Sequence, residues 1–273
     1  MSRIALLLAL GLLARPAAAQ PPARYVAMGS SFAAGPGITR QADSPPTACG
    51  RSIDNYAHQL ARRRNLALTD VSCGGATTAS ILAPWRGNPA QIDAVTTETR
   101  LVTITIGGND VGYIAGLSAG ACRGLARAGS DAEALAKCPA APRPTDADFA
   151  NLAAAMARIA AEVRARAPAA RLVFVDYPPV LPARGGCAVT PMSVEDADAS
   201  RATHRRVVAI TARAARDSHA DLITASTLAS GHDACGAQPW MNGYPPAPGG
   251  AAFHPNLAAM TAIAEALDRR LPR

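Results

Sequence analysis

Four short segments carry side chains suited to nucleophilic acyl transfer: Gly29-Ser30-Ser31, Gly74-Gly75-Ala76-Thr77, Gly107-Gly108-Asn109-Asp110 and Phe253-His254-Pro255-Asn256. That chemistry needs a hydroxyl that attacks, a base that takes its proton, and fixed donors that meet the developing oxyanion. Serine, histidine, glycine amides and an asparagine amide make up that inventory. Histidine suits the base role because its charge changes near neutral pH. Each segment also has an ordinary structural reading. Serine is a favoured helix N-cap, Asn109 could simply shape a turn, and His-Pro could close a loop before a helix. Taken singly these segments decide little, so the elements that position them matter.

Three of the four segments follow apolar runs that read as strands. Residues 25–28 end at Gly29, residues 66–71 lead to Gly74-Gly75, and residues 101–106 end at Gly107. The last run is rich in β-branched residues and is the clearest strand in the chain. Residues 171–177 and 221–224 supply two more strands. Helical spacing predicts helices over residues 55–64, 90–99 and 194–217, the last started by Ser193, and over 256–271. Thr145 with Asp148 reads as a capping box, and apolar residues at helical spacing run from Phe149 to Val163. Residues 113–144 read as a long irregular insertion with short helical pieces. Strands alternating with helices predict an α/β fold: a five-stranded parallel sheet with helices on both faces. The strand ends of such a sheet share one edge, where ligands bind in open α/β folds. A loop before the last helix can bring His254 to that edge.

Composition narrows the class. Ser2-Arg3, an apolar run over residues 4–13 and Ala17-Ala18-Ala19 have the form of a secretory signal peptide cleaved near Ala19. Residues 20–273 then form one domain, exported to the periplasm or the medium, with no transmembrane segment. Six cysteines suit an oxidising compartment. They allow 15 connectivities, among which the spacing does not choose; sequential pairing is the simplest, because each loop closes locally. No clustered Cys/His spacing suggests structural zinc. The net charge of +7 is almost wholly arginine, since Lys137 is the only lysine. The clusters Arg62-Arg63-Arg64, Arg205-Arg206 and Arg269-Arg270 are dispersed toward expected helix ends and lack interleaved aromatics, so nucleic acid is not an expected partner. There is no G-x-S-x-G elbow, no H-E-x-x-H and no phosphate-cradling loop. Neither metal nor nucleotide cofactor is expected.

Taken together, the blocks Gly29-Ser30-Ser31, Gly75, Gly108-Asn109-Asp110 and His254-Pro255 resemble, in order and spacing, those of the SGNH hydrolases, also called GDSL esterases and lipases. Within that family the chain is most similar to the secreted actinobacterial esterase, lipase and phospholipase branch. It shares Cys49-Gly50-Arg51-Ser52, Asn55-Tyr56, Ser72-Cys73-Gly74-Gly75-Ala76-Thr77-Thr78 and the segment from Thr103 to Asp110. The resemblance implies a flavodoxin-like three-layer sandwich, a monomer, a small-molecule ester or lipid substrate, and disulfides Cys49–Cys73, Cys122–Cys138 and Cys187–Cys235. It further implies Ser31 as nucleophile, His254 as general base and acid, and an oxyanion hole of the Ser31 amide, the Gly75 amide and the Asn109 side chain.

Two positions depart from the family pattern. Ser30 stands where an Asp usually precedes the nucleophile, and Ala251 stands where a triad Asp would precede the histidine by three residues. Some similar members orient the histidine with a backbone carbonyl, so a Ser-His dyad is expected, with the carbonyl of Ala251 or Ala252 as orienter. Asp233 and Asp110 are lesser candidates. His232 ranks second to His254, while His58, His204 and His219 read as surface or partly packed residues. Trp85, Trp240, Tyr113, Tyr244 and Met241 could form an apolar pocket or serve only as packing. The two departures also leave open a non-catalytic carbohydrate- or lipid-binding protein on the same scaffold.

Overall fold

In a computed structural model, which describes residues 21–246 and 250–272, five parallel strands form one sheet in the order β2-β1-β3-β4-β5. They are β1 (Arg24–Gly29), β2 (Ala67–Asp70), β3 (Thr99–Thr105), β4 (Arg171–Val175) and β5 (Asp221–Ile223). The expected signal peptide lies outside the described residues. β1 sits between β2 and β3, so the three strands that lead to the chemistry-bearing segments are neighbours.

Helices α1 (Ser31–Ala34), α2 (Tyr56–Arg64), α3 (Thr78–Leu82), α4 (Tyr113–Ala128), α5 (Ala132–Lys137), α6 (Asp146–Arg166), α7 (Val194–Asp217), α8 (Ala225–Leu228) and α9 (Leu257–Arg270) complete the fold. Alternate strand residues face opposite sides. Val26, Met28, Val102, Ile104, Leu172 and Phe174 pack against α4, α6 and α7. Tyr25, Ala27, Leu101, Val173 and Val175 pack against α2 and α9. Both faces of the sheet are therefore covered, which gives the three layers. Among the described residues no helix is long and apolar enough to cross a membrane.

Capping side chains start α6, α7 and α9. Thr145 and Asp148 form the reciprocal box on α6, Ser193 accepts from the Asp196 amide at the start of α7, and Asn256 accepts from the Ala258 and Ala259 amides at the start of α9. Two segments differ from expectation. Residues 90–99 make only a 3₁₀ turn at Gln91–Ala94, and Thr99 already belongs to β3. Three threonines over residues 96–99 disfavour helix, and Thr96 and Thr99 close a turn on each other instead.

Residues 113–128, expected to be irregular, form a continuous helix. Its inner face carries Gly120 and Gly124, against which α7 and its approach come so close that a side chain at Gly124 would collide with the Pro191 carbonyl. Gly116, Gly120 and Gly124 lower its intrinsic helix propensity and Gly112 offers no capping side chain, so the usual local helix signals are weak. Arg205-Arg206 lie within α7 rather than near its end, where Arg206 stacks over Phe149.

The cysteines pair sequentially: Cys49–Cys73 beside the end of β2, Cys122–Cys138 between α4 and the end of α5, and Cys187–Cys235 between the loops after β4 and α8. Each such link contributes about 2–4 kcal/mol, chiefly by restricting the unfolded chain.

Candidate active site

The turn after β1 depends on Gly29. Its φ of +141° lies where side chains rarely fit, and a Cβ there would stand 2.4 Å from the Thr105 carbonyl at the end of β3. The Ser30 amide donates to that same carbonyl at 2.9 Å. Ser30 takes the N-cap position of α1, but its hydroxyl makes no capping bond. Ser31 opens the helix with its side chain largely enclosed at the carboxyl edge of the sheet.

His254 reaches Ser31 from the loop before α9. Its Nε2 lies 2.8 Å from Ser31 Oγ, and its Nδ1 lies 2.7 Å from the Ala252 carbonyl. A carbonyl can only accept, so Nδ1 carries the proton and Nε2 presents a lone pair to the serine hydroxyl. Burial holds the imidazole below its ordinary pKa, and the bond to Ala252 partly offsets this. The neutral form is therefore the resting state near pH 7. Phe253, fully buried, has φ +60°; for a bulky residue that conformation costs about 1–3 kcal/mol. It is held by the segment 240–242, whose Asn242 amide takes the His254 carbonyl and whose Asn242 side chain takes the Ala251 carbonyl. Of the two expected orienters, Ala252 faces the ring and Ala251 is engaged elsewhere. The carboxylate of Asp233 binds the Cys235 amide and that of Asp110 binds Thr78, so neither serves the imidazole.

The other two segments are tied together beside Ser31. Asn109 Nδ2 donates to the Ala76 carbonyl at 2.9 Å, and Asp110 accepts from the Thr78 amide and hydroxyl. Burial raises the Asp110 pKa, with the Thr78 bonds opposing it. Gly75 has φ +82°, and its N–H has no partner among the described residues. The arrangement places a hydroxyl bonded to a neutral imidazole just beyond β1, the strand between the two that lead to an unbonded amide and to an oriented carboxamide.

The profile described as the GDSL-like Lipase/Acylhydrolase family matches residues 27–262. The chain belongs to that family. It is 35% identical over 263 residues to Lipase 2 of Streptomyces coelicolor, covering 92% of this chain and 87% of that protein. It is 31% identical over 223 residues to a lipase of Streptomyces rimosus, covering 80% and 75%. Among solved structures, an extracellular lipase from Streptomyces rimosus superposes with a TM-score of 0.71 at 26% identity, covering 91% of this chain and 99% of that one. A phospholipase A1 from Streptomyces albidoflavus shares the fold, with a TM-score of 0.73 at 22% identity over 92% and 100% of the chains. The protein is thus an ester hydrolase of the SGNH/GDSL type.

Two residues of this GDSL-like hydrolase escaped the sequence reading. Gln91, buried in the 3₁₀ turn, clamps Gly29: its Oε1 accepts from the Gly29 amide at 2.7 Å and its Nε2 donates to the Gly29 carbonyl at 3.0 Å. Tyr177, just beyond β4, accepts from the Gly108 amide at 3.0 Å and lies 3.4 Å from Ser30 Oγ. It also packs on Phe32. Burial pushes its pKa up to about 12, so it stays a neutral hydroxyl. Both contacts join residues far apart in sequence, and no local motif announces them.

Gln91→Ala would leave the buried Gly29 amide unpaired, which costs about 1–3 kcal/mol. We expect a lower melting temperature, by roughly 2–4 °C per kcal/mol, and a kcat reduced about tenfold with KM little changed, since a slightly misplaced nucleophile affects the reaction more than binding. Thermal melts and ester kinetics on one preparation check both; an unaltered kcat removes Gln91 from the positioning role.

The remaining histidines lie apart from Ser31. His204 bonds the Tyr177 carbonyl, and His232 stacks on Trp240 with ring centroids 4.2 Å apart. His58 meets the buried Asp70 beside α2, and His219 sits at the end of α7. Tyr113 and Met241 are core residues. Tyr244 stacks on Phe253, and Trp85 lies against Gly75.

Proposed function

We propose that this hydrolase cleaves carboxylic esters through an acyl-enzyme on Ser31, using a Ser-His dyad in place of a triad. The observation that carries the reading is the placement of His254 between Ser31 Oγ at 2.8 Å and the Ala252 carbonyl at 2.7 Å. In the first half-reaction Oγ attacks the ester carbon while Nε2 takes the hydroxyl proton. The Ser31 and Gly75 amides and Asn109 Nδ2 receive the oxyanion. The tetrahedral species collapses with loss of the alcohol, which leaves with the proton from Nε2. Water then attacks the acyl-enzyme by the reverse sequence, releasing the acid and restoring the Ser31 hydroxyl. A carbonyl suffices as orienter because it fixes the tautomer, although it gives the imidazolium less stabilisation than a carboxylate would.

The basic start, apolar run and alanine-rich end of the first 19 residues, with three disulfides, support export. Lipids or short-chain esters are the expected substrates, and a monomer the expected state. A fluorophosphonate probe tests the mechanism, with 4-nitrophenyl esters from acetate to palmitate testing acyl length. Stoichiometric labelling on Ser31 with turnover of at least one ester is expected. A folded protein that neither labels nor turns over would point instead to a binding protein on this scaffold.

A further inference from the structure

Between α3 and the 3₁₀ turn, Trp85-Arg86-Gly87-Asn88 form a tight hairpin in which the amides and carbonyls of Trp85 and Asn88 pair at 2.9 Å in both directions. Both central residues have positive φ, +49° at Arg86 and +77° at Gly87. Asparagine or glycine would ordinarily fill such a turn. Arginine at positive φ is uncommon, and a side chain held there invites a functional explanation. Asn88 Nδ2 fastens the turn by donating to the Trp85 and Arg86 carbonyls.

The turn aims Arg86 at the candidate active site. Its guanidinium carbon lies 4.4 Å from the centre of the Trp85 ring. A methyl group placed on Gly75 would stand 3.4 Å from that ring and 3.9 Å from Arg86 Nη1. Arg86 is exposed, and among the described residues no carboxylate pairs with it. With one face covered by the indole, a guanidinium keeps its N–H donors at the edge, in the fork geometry that suits an oxyanion. The chain's net charge of +7 favours the approach of such groups.

We infer that Arg86, backed by Trp85, forms a subsite that selects ester substrates carrying a second, anionic group, a carboxylate, sulfonate or phosphate, within a few atoms of the scissile carbonyl. This rests on the proposed placement of the oxyanion at Gly75. The hydrolytic machinery itself requires no such cation, since three neutral donors already face the oxyanion. Arg86 is accordingly a specificity-determining residue.

The test is the ratio of kcat/KM for an anionic over a neutral ester, compared between wild type, Arg86→Asn and Arg86→Glu. Arg86→Asn keeps a residue suited to positive φ while removing the charge. One arm puts the charge on the alcohol side, with 4-acetoxybenzenesulfonate against 4-nitrophenyl acetate. The other puts it on the acyl side, with 4-nitrophenyl hydrogen adipate against 4-nitrophenyl hexanoate. Comparing ratios across variants cancels the intrinsic reactivities. In at least one arm the ratio should fall about tenfold in Arg86→Asn, the scale of a partly exposed charge-assisted hydrogen bond, and further in Arg86→Glu. The wild-type preference should shrink as salt is raised. A ratio unmoved in both arms, or anionic and neutral esters slowed alike, overturns the subsite while leaving ester hydrolysis intact. If wild type turned over none of these esters, anionic or neutral, the proposed mechanism would fail, and the subsite with it.

Discussion

Ser31→Ala is expected to lower kcat by about 10⁶-fold, the scale on which an acyl-transfer enzyme depends on its serine. The substitution removes one oxygen from a side chain whose Oγ bonds His254 Nε2. It leaves the backbone bond between the Ser30 amide and the Thr105 carbonyl in place, together with the Phe32 packing that anchors α1. The fold should therefore persist, with a melting temperature within a few degrees of wild type. Fluorophosphonate labelling should vanish with turnover. The neighbouring Ser30→Ala separates the two hydroxyls: Ser30 Oγ faces Tyr177 rather than His254, so labelling should survive there. A folded Ser31→Ala protein that retained most of its activity would place the chemistry elsewhere.

His254 should show the second large effect, and its pH dependence tests the dyad. His254→Ala should reduce kcat on a scale comparable with loss of the serine. In wild type, Nε2 must be unprotonated to accept the Ser31 proton. Burial disfavours the imidazolium and lowers the pKa, so kcat/KM should rise with pH through a value below 6.5 and then level off. Ala251→Asp offers the position a triad carboxylate would occupy. A carboxylate bonded to Nδ1 stabilises the imidazolium, which would move the acid limb to higher pH. Asp233→Ala should leave turnover within about twofold, because Asp233 caps the Cys235 amide and does not reach the imidazole. Abolished turnover in a folded Asp233→Ala protein would sink the dyad.

Elements whose signals are local were legible in the sequence. β3 is rich in β-branched residues and stops two residues before Gly107, and α7, capped by Ser193, runs from Val194 to Asp217 as its spacing indicates. The segments holding Ser31, Gly75, Asn109 and His254 were recognisable because each is short and placed after a strand or before a helix. The unread parts depend on distance or on small side chains. α4 carries three glycines, poor helix formers, and starts at Gly112 without a capping side chain, so its local signals are weak. Gln91 reaches Gly29 across 62 residues, and Tyr177 meets Gly108 across 69. Such bonds exist only once β1, β3 and β4 lie in register. The choice between Ala251 and Ala252 needed the actual path of the chain, since either carbonyl is available in sequence and Asn242 decides which one is taken.

The Cys49–Cys73 bridge bears on when this hydrolase becomes competent. Cys73 stands two residues before Gly75, and the Gly74 amide donates to the Cys49 carbonyl at 2.9 Å, so the bridge and its backbone bond hold the turn that presents the Gly75 amide. Thiols of a chain still in a reducing compartment would leave that turn untethered, and with it the anion-binding pocket of the proposed mechanism. If that pocket is the oxyanion hole, closing the Cys49–Cys73 bridge would complete it. On the proposed mechanism, a producing cell would hold this ester hydrolase in a less competent form until the bridge closes.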